Sequence, residues 1–97
     1  MKSLSEKEVR DRILTGHKDW SFEGKSISRV LKFKDFVTAF SFMTSVAIVA
    51  EKLDHHPDWS NVYNTVTIRL NTHDANGITA LDFDLAREID NLYMKFS

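Results

Sequence analysis

The apolar segment from Phe36 to Ala50 constrains the fold more than any other part of this 97-residue chain. Its apolar side chains form two adjacent stripes at helical spacing: Phe36, Phe40, Met43, Ala47 and Ala50, and beside them Ala39, Phe42, Val46, Val49 and Leu53. Together the stripes cover about half of the helix circumference, which exceeds the ~100° that one buried face needs. In so small a domain a helix usually keeps one face in water, so we expect the surplus to be buried in a homo-oligomer, a dimer or tetramer formed through helix 36–50. A deeply sunk core helix is the alternative.

Composition limits the classes of protein to which the chain can belong. A hydrophobic fraction of 42% and a charged fraction of 28% predict one globular domain over residues 1–97. Thirteen basic against 14 acidic residues leave no basic field for direct nucleic-acid binding. The absence of cysteine excludes disulfides, thiolate nucleophiles and zinc–thiolate sites.

Targeting signals are also missing from the sequence pattern. The N-terminal residues contain no uninterrupted apolar h-region, and segment 36–50 is short, interrupted by serine and threonine, and closely flanked by charge. We therefore expect a soluble, cytoplasmic protein with no membrane segment.

The remaining pattern consists of short periodic segments separated by glycine and proline. Capping boxes at residues 5–8 and 79–82 predict the starts of a first and a last helix. Alternation after Thr65 places Val66, Ile68 and Leu70 on one face of a strand. The other strands are predicted at 20–23, 27–34 and 58–62, which gives the order α-β-β-α-β-β-α. We therefore predict an α+β fold, a four-stranded antiparallel sheet with three helices packed on one face.

The stretch EKLDHHPDWSNVY, residues 51–63, concentrates the groups that could carry chemistry. On the second helix, which we expect to end near Asp54, Glu51 and His55 are four residues apart and so should share a face. Pro57 should stop the helix and hold His56 in extended geometry. His73 ends the alternating strand, off its apolar face. If that sheet edge lies beside the end of the helix, all three imidazoles can reach one pocket.

Sequence spacing alone leaves three interpretations of these histidines open. His55 and His56 could simply complement the helix dipole, with His73 in a loop. A metal site would need converging ligands, and no H-x-x-x-H spacing is present. General acid/base catalysis suits imidazoles, which donate and accept protons near neutral pH. His17, in the turn after Gly16, is interpreted as solvated and without function.

Several neighbours could assist such chemistry. Glu51, Asp54 and Asp82 could orient an imidazole or accept hydrogen bonds from a ligand, although Asp82 is already explained as the N3 residue of its capping box. Trp59 could stack on a flat ring or fill the core, and the sequence does not decide between the two. For Tyr63 we favour the core.

These residues resemble the signature of the pterin-4a-carbinolamine dehydratase family. That signature is an acidic or polar residue, three positions, His-His-Pro, a later aromatic residue, then a histidine and an aspartate. It is met by Glu51, His55-His56-Pro57, Tyr63, His73 and Asp82. The stretch AEKLDHHPDWSNVYNTVTIRLNTH and the flanking patterns FKDF..AFSFM..VA and GIT..D.DLA are similar to the family, so the resemblance covers residues 20–89.

The resemblance implies a cofactor-free and metal-free lyase that dehydrates 4a-hydroxytetrahydropterin to quinonoid dihydropterin during tetrahydropterin recycling. It implies that His55 and His73 are the acid/base residues and that His56 positions the pterin or takes part in catalysis. The implied substrate-binding residues are Glu51, Asp54, His55, His56, Pro57, Thr72, His73, Asp74, Ala75 and Asp82.

A competing class of function also follows from the resemblance. The family implies tetramers and, in animal members, a dimerisation cofactor for a homeodomain transcription factor. The chain could therefore be a binding module that regulates a transcription factor or a hydroxylase. The three intact histidines favour the enzyme, because a pure adaptor has no physical need for them, although both roles can coexist.

Overall fold

A computed structural model describes residues 2–96. Its elements follow the predicted order, with a 3-10 turn added before the last helix. They are α1 (Glu6–Gly16), β1 (Ser21–Glu23), β2 (Ser26–Lys32), α2 (Phe36–Leu53), β3 (Asp58–Val62), β4 (Thr65–Leu70), the 3-10 turn His73–Ala75 and α3 (Ala80–Phe96). The predicted capping box begins α1, since Ser5 and Glu8 each accept the other's backbone N–H with a side-chain oxygen.

The sheet has one buried face. Its strand order is β1-β2-β4-β3, and every neighbouring pair is antiparallel. In β4, Val66, Ile68 and Leu70 are fully buried while Thr67 and Arg69 are exposed. Because only one face is apolar, the helices pack on that face, and α2 and α3 also lie against each other. The predicted α+β fold is confirmed.

The two stripes of α2 have different surroundings. In one stripe Ala39, Phe42 and Val46 are fully buried in the core, and its other members are partly buried against it. In the other stripe Ala50 is also buried, whereas Phe36 and Phe40 remain 49% and 57% exposed. By length and composition alone α2 could cross a membrane, but its inner face packs on α3 and β4 as a core helix does. The exposed apolar residues agree with the prediction that α2 carries more apolar surface than one core can bury. The burial of this surface against another subunit stays a prediction.

The end of α2 sets the direction of the histidine pair. Asp54 adopts the left-handed conformation, with φ 52°. The Asp54 N–H donates to the Glu51 carbonyl oxygen at 3.2 Å, and the His55 N–H donates to that of Ala50 at 3.0 Å. This is a Schellman turn, which ends the helix by itself. The prediction that Pro57 stops the helix is therefore wrong, because α2 has already ended at Leu53.

The two aromatic residues after the histidine pair have different positions. Trp59 is partly buried and packs against the core. Tyr63 lies in the β3–β4 turn with φ 52° and is 62% exposed. The prediction that Tyr63 fills the core is wrong, because the tight hairpin turn falls on this residue and directs it to solvent.

Candidate active site

A cleft of about 320 Å³ lies where the end of α2 meets the segment that follows β4. Its size is within the ~300–1,000 Å³ typical of small-molecule sites. The cleft is lined by Asp54, His55, His56, Asn71, Thr72, His73 and Asp74. The three histidines singled out in the sequence thus line a single cavity.

His55 is the buried member of this set. Its Nε2 lies 2.5 Å from Oδ1 of Asp82, a carboxylate that is itself fully buried. A carboxylate only accepts hydrogen bonds, so Nε2 must carry the proton and donate. The second nitrogen, Nδ1, then keeps its lone pair, and among residues 2–96 no side chain or backbone group hydrogen-bonds to it. His55 is therefore held in the tautomer that can accept a proton at Nδ1.

Asp82 is fixed in turn by two threonines. Its Oδ2 accepts the Thr79 backbone N–H and the Thr72 hydroxyl, both at 2.9 Å. Because the single Thr72 hydroxyl proton goes to Asp82, the Thr79 hydroxyl must donate to Thr72 Oγ1 at 2.7 Å. One carboxylate oxygen therefore caps α3, while the other orients His55. The capping-box interpretation of Asp82 is incomplete, since it accounts for only one of these roles.

The other two histidines are more open to solvent. His56 Nε2 lies 2.9 Å from Glu51 Oε1, and both side chains are mostly exposed. His73 begins the 3-10 turn, and its side chain is fully exposed, with Nδ1 3.7 Å from Asp74 Oδ1. The prediction that Glu51 and His55 share a helix face is wrong, because the Schellman turn ends α2 before His55 and directs its ring toward Asp82 instead.

The remaining predicted residues divide into three groups. Asp54, Thr72 and Asp74 line the cleft, whereas Pro57 and Ala75 only adjoin it in the sequence. Glu51 and Asp82 do not line the cleft, but each hydrogen-bonds a histidine that does, His56 and His55 respectively. Asn71, which also lines it, was missed by the sequence analysis. The available signal was its place at the end of the strand, directly before Thr72.

His17 lies outside the cleft. Its ring packs on Phe83 with centroids 5.0 Å apart. Its Nδ1 is buried and finds no hydrogen-bond partner among residues 2–96. Burial lowers the pKa of His17 below its ordinary value, although the nearby Asp90 carboxylate opposes this. The prediction that His17 is solvated is wrong, because α3 comes back over the turn that carries it.

The cleft does not have the geometry of a metal centre. Within residues 2–96, no three histidine, aspartate or glutamate side chains are grouped closely enough to hold a metal ion. In the two His–carboxylate pairs, the ring nitrogen already bonds a carboxylate oxygen. The arrangement instead offers one oriented imidazole, two accessible imidazoles and surrounding polar groups, which suits proton transfer to and from a small polar ligand.

One family model and several relatives are similar to this chain in sequence. The family model described as pterin 4 alpha carbinolamine dehydratase matches residues 2–92. A relative from Mesorhizobium japonicum, named "Putative pterin-4-alpha-carbinolamine dehydratase", is 57% identical over 77 residues, which cover 77% of this chain and 79% of the relative. A relative of the same name from Prochlorococcus marinus is 48% identical over 92 residues, which cover 95% of this chain and 97% of the relative.

Solved structures agree on the fold. A structure described as transcriptional coactivator/pterin dehydratase from Brucella melitensis matches with a TM-score of 0.89 and 45% identity, covering 95% of this chain and 99% of that one. A pterin dehydratase-like RuBisCO assembly factor of the alpha-carboxysome has a TM-score of 0.68 and 20% identity, covering 79% and 92% of the two chains. That second likeness shows the fold alone. From the match over residues 2–92 and the identities of these relatives, the chain belongs to the pterin-4a-carbinolamine dehydratase family.

Proposed function

We propose that this protein dehydrates 4a-hydroxytetrahydropterin to quinonoid dihydropterin by histidine general acid/base catalysis. The observation that carries the proposal is the cleft in which His55, held by a buried carboxylate, lies with His56 and His73. The family supports the same chemistry. The proposed substrate-binding set is the one implied by the family resemblance, with Asn71 added because it lines the cleft.

The reaction needs two proton transfers. A base removes the proton from N5 of the pterin, the N5 electron pair forms the C4a=N5 double bond, and the 4a-hydroxyl leaves as water after receiving a proton. In this proposal Nδ1 of His55 takes the N5 proton, since Asp82 fixes the proton on Nε2. His73, fully exposed and in contact with solvent protons, protonates the leaving hydroxyl. His56, bonded to Glu51, positions the ring.

The test measures the dehydration of chemically generated 4a-hydroxytetrahydropterin through its absorbance change. The rate with protein is compared with the uncatalysed rate. His55→Ala and His73→Ala should each lower the catalysed rate by about 10²–10⁴-fold, the usual contribution of a general acid or base. The matched control is His17→Gln, which removes the one histidine outside the cleft and should leave the rate within about twofold. A wild-type rate equal to the uncatalysed rate would refute the proposal.

A second role is favoured by one specific observation, the outward apolar surface of α2. Phe36, Val37, Phe40 and Ile48 are all about half exposed or more, and a shallow, open surface on the same helix continues from Thr44 to Lys52. Apolar surface of this extent is typical of an association site. We propose self-association through α2 into a dimer or tetramer, with a regulatory protein partner on the same face as the alternative. Sedimentation of the wild type against Phe40→Ser tests it, and a monomeric wild type would refute self-association.

A further inference from the structure

The segment that precedes α1 lies against the loop that carries His73. The Leu4 N–H donates to the Ile78 carbonyl oxygen at 2.7 Å. Ser3 lies so close to Gly77 that a Cβ added to this glycine would be 3.0 Å from Ser3 Cβ. The cap of α1 is Ser5, so neither contact is needed to begin that helix. The contacts join the N-terminal segment to the far side of the candidate active site.

The loop itself is small and closed. The Thr72 N–H donates to the Gly77 carbonyl oxygen at 2.7 Å, which closes the loop at its base. Inside it, the Asn76 N–H donates to the His73 carbonyl oxygen at 3.0 Å. The His73 side chain is fully exposed. Backbone geometry of the loop, rather than side-chain packing, therefore sets where the His73 imidazole lies.

We propose that Ser3 and Leu4 are positioning residues for the reaction, because they hold the loop of residues 72–77 and thereby place His73 opposite His55. The inference rests on the proposed dehydratase function. Thr72 is already fixed at one end of the loop by its hydrogen bond to Asp82. Gly77 and Ile78, on the returning side, are the residues that meet Ser3 and Leu4. Loss of this contact should let the returning side move and carry His73 with it.

Glycine 77 offers a substitution that acts on this contact alone. Its φ is not in the left-handed region, so alanine adds no backbone strain there, and the nearest obstacle is Ser3 Cβ. Gly77→Ala should push Ser3 away and weaken the neighbouring Leu4–Ile78 hydrogen bond. Adding Ser3→Gly should let the new methyl group take the space of the removed Ser3 side chain, so that positions 3 and 77 stay in contact and the hydrogen bond is restored. Gly16→Ala is the matched control, since nothing lies within 4 Å of a Cβ at that position.

Dehydration kinetics give the first measurement. The added Cβ would lie 3.0 Å from Ser3 Cβ, so the contact must give by a few tenths of an ångström. Because a misplacement of about 1 Å at a reacting group can cost ~10²-fold, Gly77→Ala should lower kcat by roughly fourfold, with a smaller change in KM. The double variant Gly77→Ala/Ser3→Gly and the control should stay within about twofold of wild type. In a His73→Ala background the Gly77 effect should shrink to less than about twofold, because the residue being positioned is gone. If Gly77→Ala instead caused general structural damage, its effect on kcat would persist in the His73→Ala background.

Amide hydrogen exchange of Leu4 gives a measurement that does not depend on activity. We expect the Leu4 amide to be protected in the wild type, to exchange faster in Gly77→Ala and to recover in the double variant. Two results would overturn this inference while leaving the proposed function intact. One is an active wild type whose Leu4 amide is unprotected. The other is a loss of kcat in Gly77→Ala that Ser3→Gly does not restore. A wild type that fails to accelerate dehydration despite a protected Leu4 amide would refute the proposed function, and with it the catalytic role of the segment.

Discussion

Replacing Asp82 by asparagine should reverse the tautomer of His55 while leaving the shape of the site intact. Asp82 Oδ2 accepts two hydrogen bonds, from Thr72 and Thr79, so the amide oxygen of the asparagine should take that side. The amide NH2 then faces His55 Nε2, which lies 2.5 Å from the present Oδ1. Because NH2 donates, Nε2 must accept, and the His55 proton moves to Nδ1. The atom proposed to take the pterin proton is then occupied.

The expected losses of kcat and of stability in Asp82→Asn follow from the proton acceptor and the hydrogen bond that the substitution removes. Without the proposed general base, the protein should lose about 10²–10⁴-fold in the kcat of the proposed dehydration. KM should change little, because the cleft keeps its lining. Exchanging a charge-assisted hydrogen bond for neutral ones should lower the free energy of unfolding by about 1–3 kcal/mol. That loss is smaller than the ~5–15 kcal/mol stability of a typical domain, so the variant should fold.

Two measurements on the Asp82→Asn protein decide the outcome. Single-turnover dehydration gives the rate, and the ¹⁵N chemical shifts of the His55 imidazole give the tautomer. Asp84→Asn, the same change at an exposed position of α3, is the control and should match the wild type in both. An Asp82→Asn protein with wild-type rate and its proton still on Nε2 would refute the reasoning.

Three further predictions concern stability and association. Phe42→Ala should lower the free energy of unfolding by about 3–5 kcal/mol, because Phe42 is fully buried. Phe40→Ala, on the exposed stripe, should instead change the mass in solution, and equal denaturation losses would contradict this assignment of faces. Asp54→Val should lower the free energy of unfolding by about 1–2 kcal/mol, because a β-branched residue is strained at φ 52°. Asp54→Gly should cause no such loss. Equal urea midpoints for the two variants would contradict this prediction. Burial lowers the pKa of His17, so the stability it contributes is complete above about pH 6.5 and is lost as pH falls toward the folded pKa. His17→Gln should flatten this acid-side decline in unfolding midpoints, and an unchanged profile would contradict the assignment.

The sequence predicted those parts of the fold that depend on local periodicity. Alternation in β4 identified Val66, Ile68 and Leu70 as its buried face, and all three are fully buried. Two stripes on α2 indicated one core face and one surplus apolar face, which is the arrangement found. Both patterns are set by neighbours within one element. They can be recognised without knowing what packs against them.

The errors fall where distant segments meet or where backbone conformation changes within a few residues. The end of α2 near Asp54 was predicted correctly, but its cause was assigned to Pro57, whereas Asp54 itself ends the helix by adopting a left-handed conformation that aspartate only sometimes takes. For Asp82 the sequence offered both capping and the orientation of an imidazole, but it could not name His55 as the partner, because that bond joins residues from different elements. His17 was placed in solvent for the same reason, since Phe83 packs on it from α3. Such contacts have no local sequence pattern.

The most direct test of the account is a structure of this protein with a bound dihydropterin. The account predicts the pterin ring in the cleft between residues 54–56 and 71–74, with Nδ1 of His55 within hydrogen-bonding distance of N5 and the His73 imidazole near C4a. A pterin bound elsewhere on the molecule, or in the cleft with N5 turned away from His55, would contradict it.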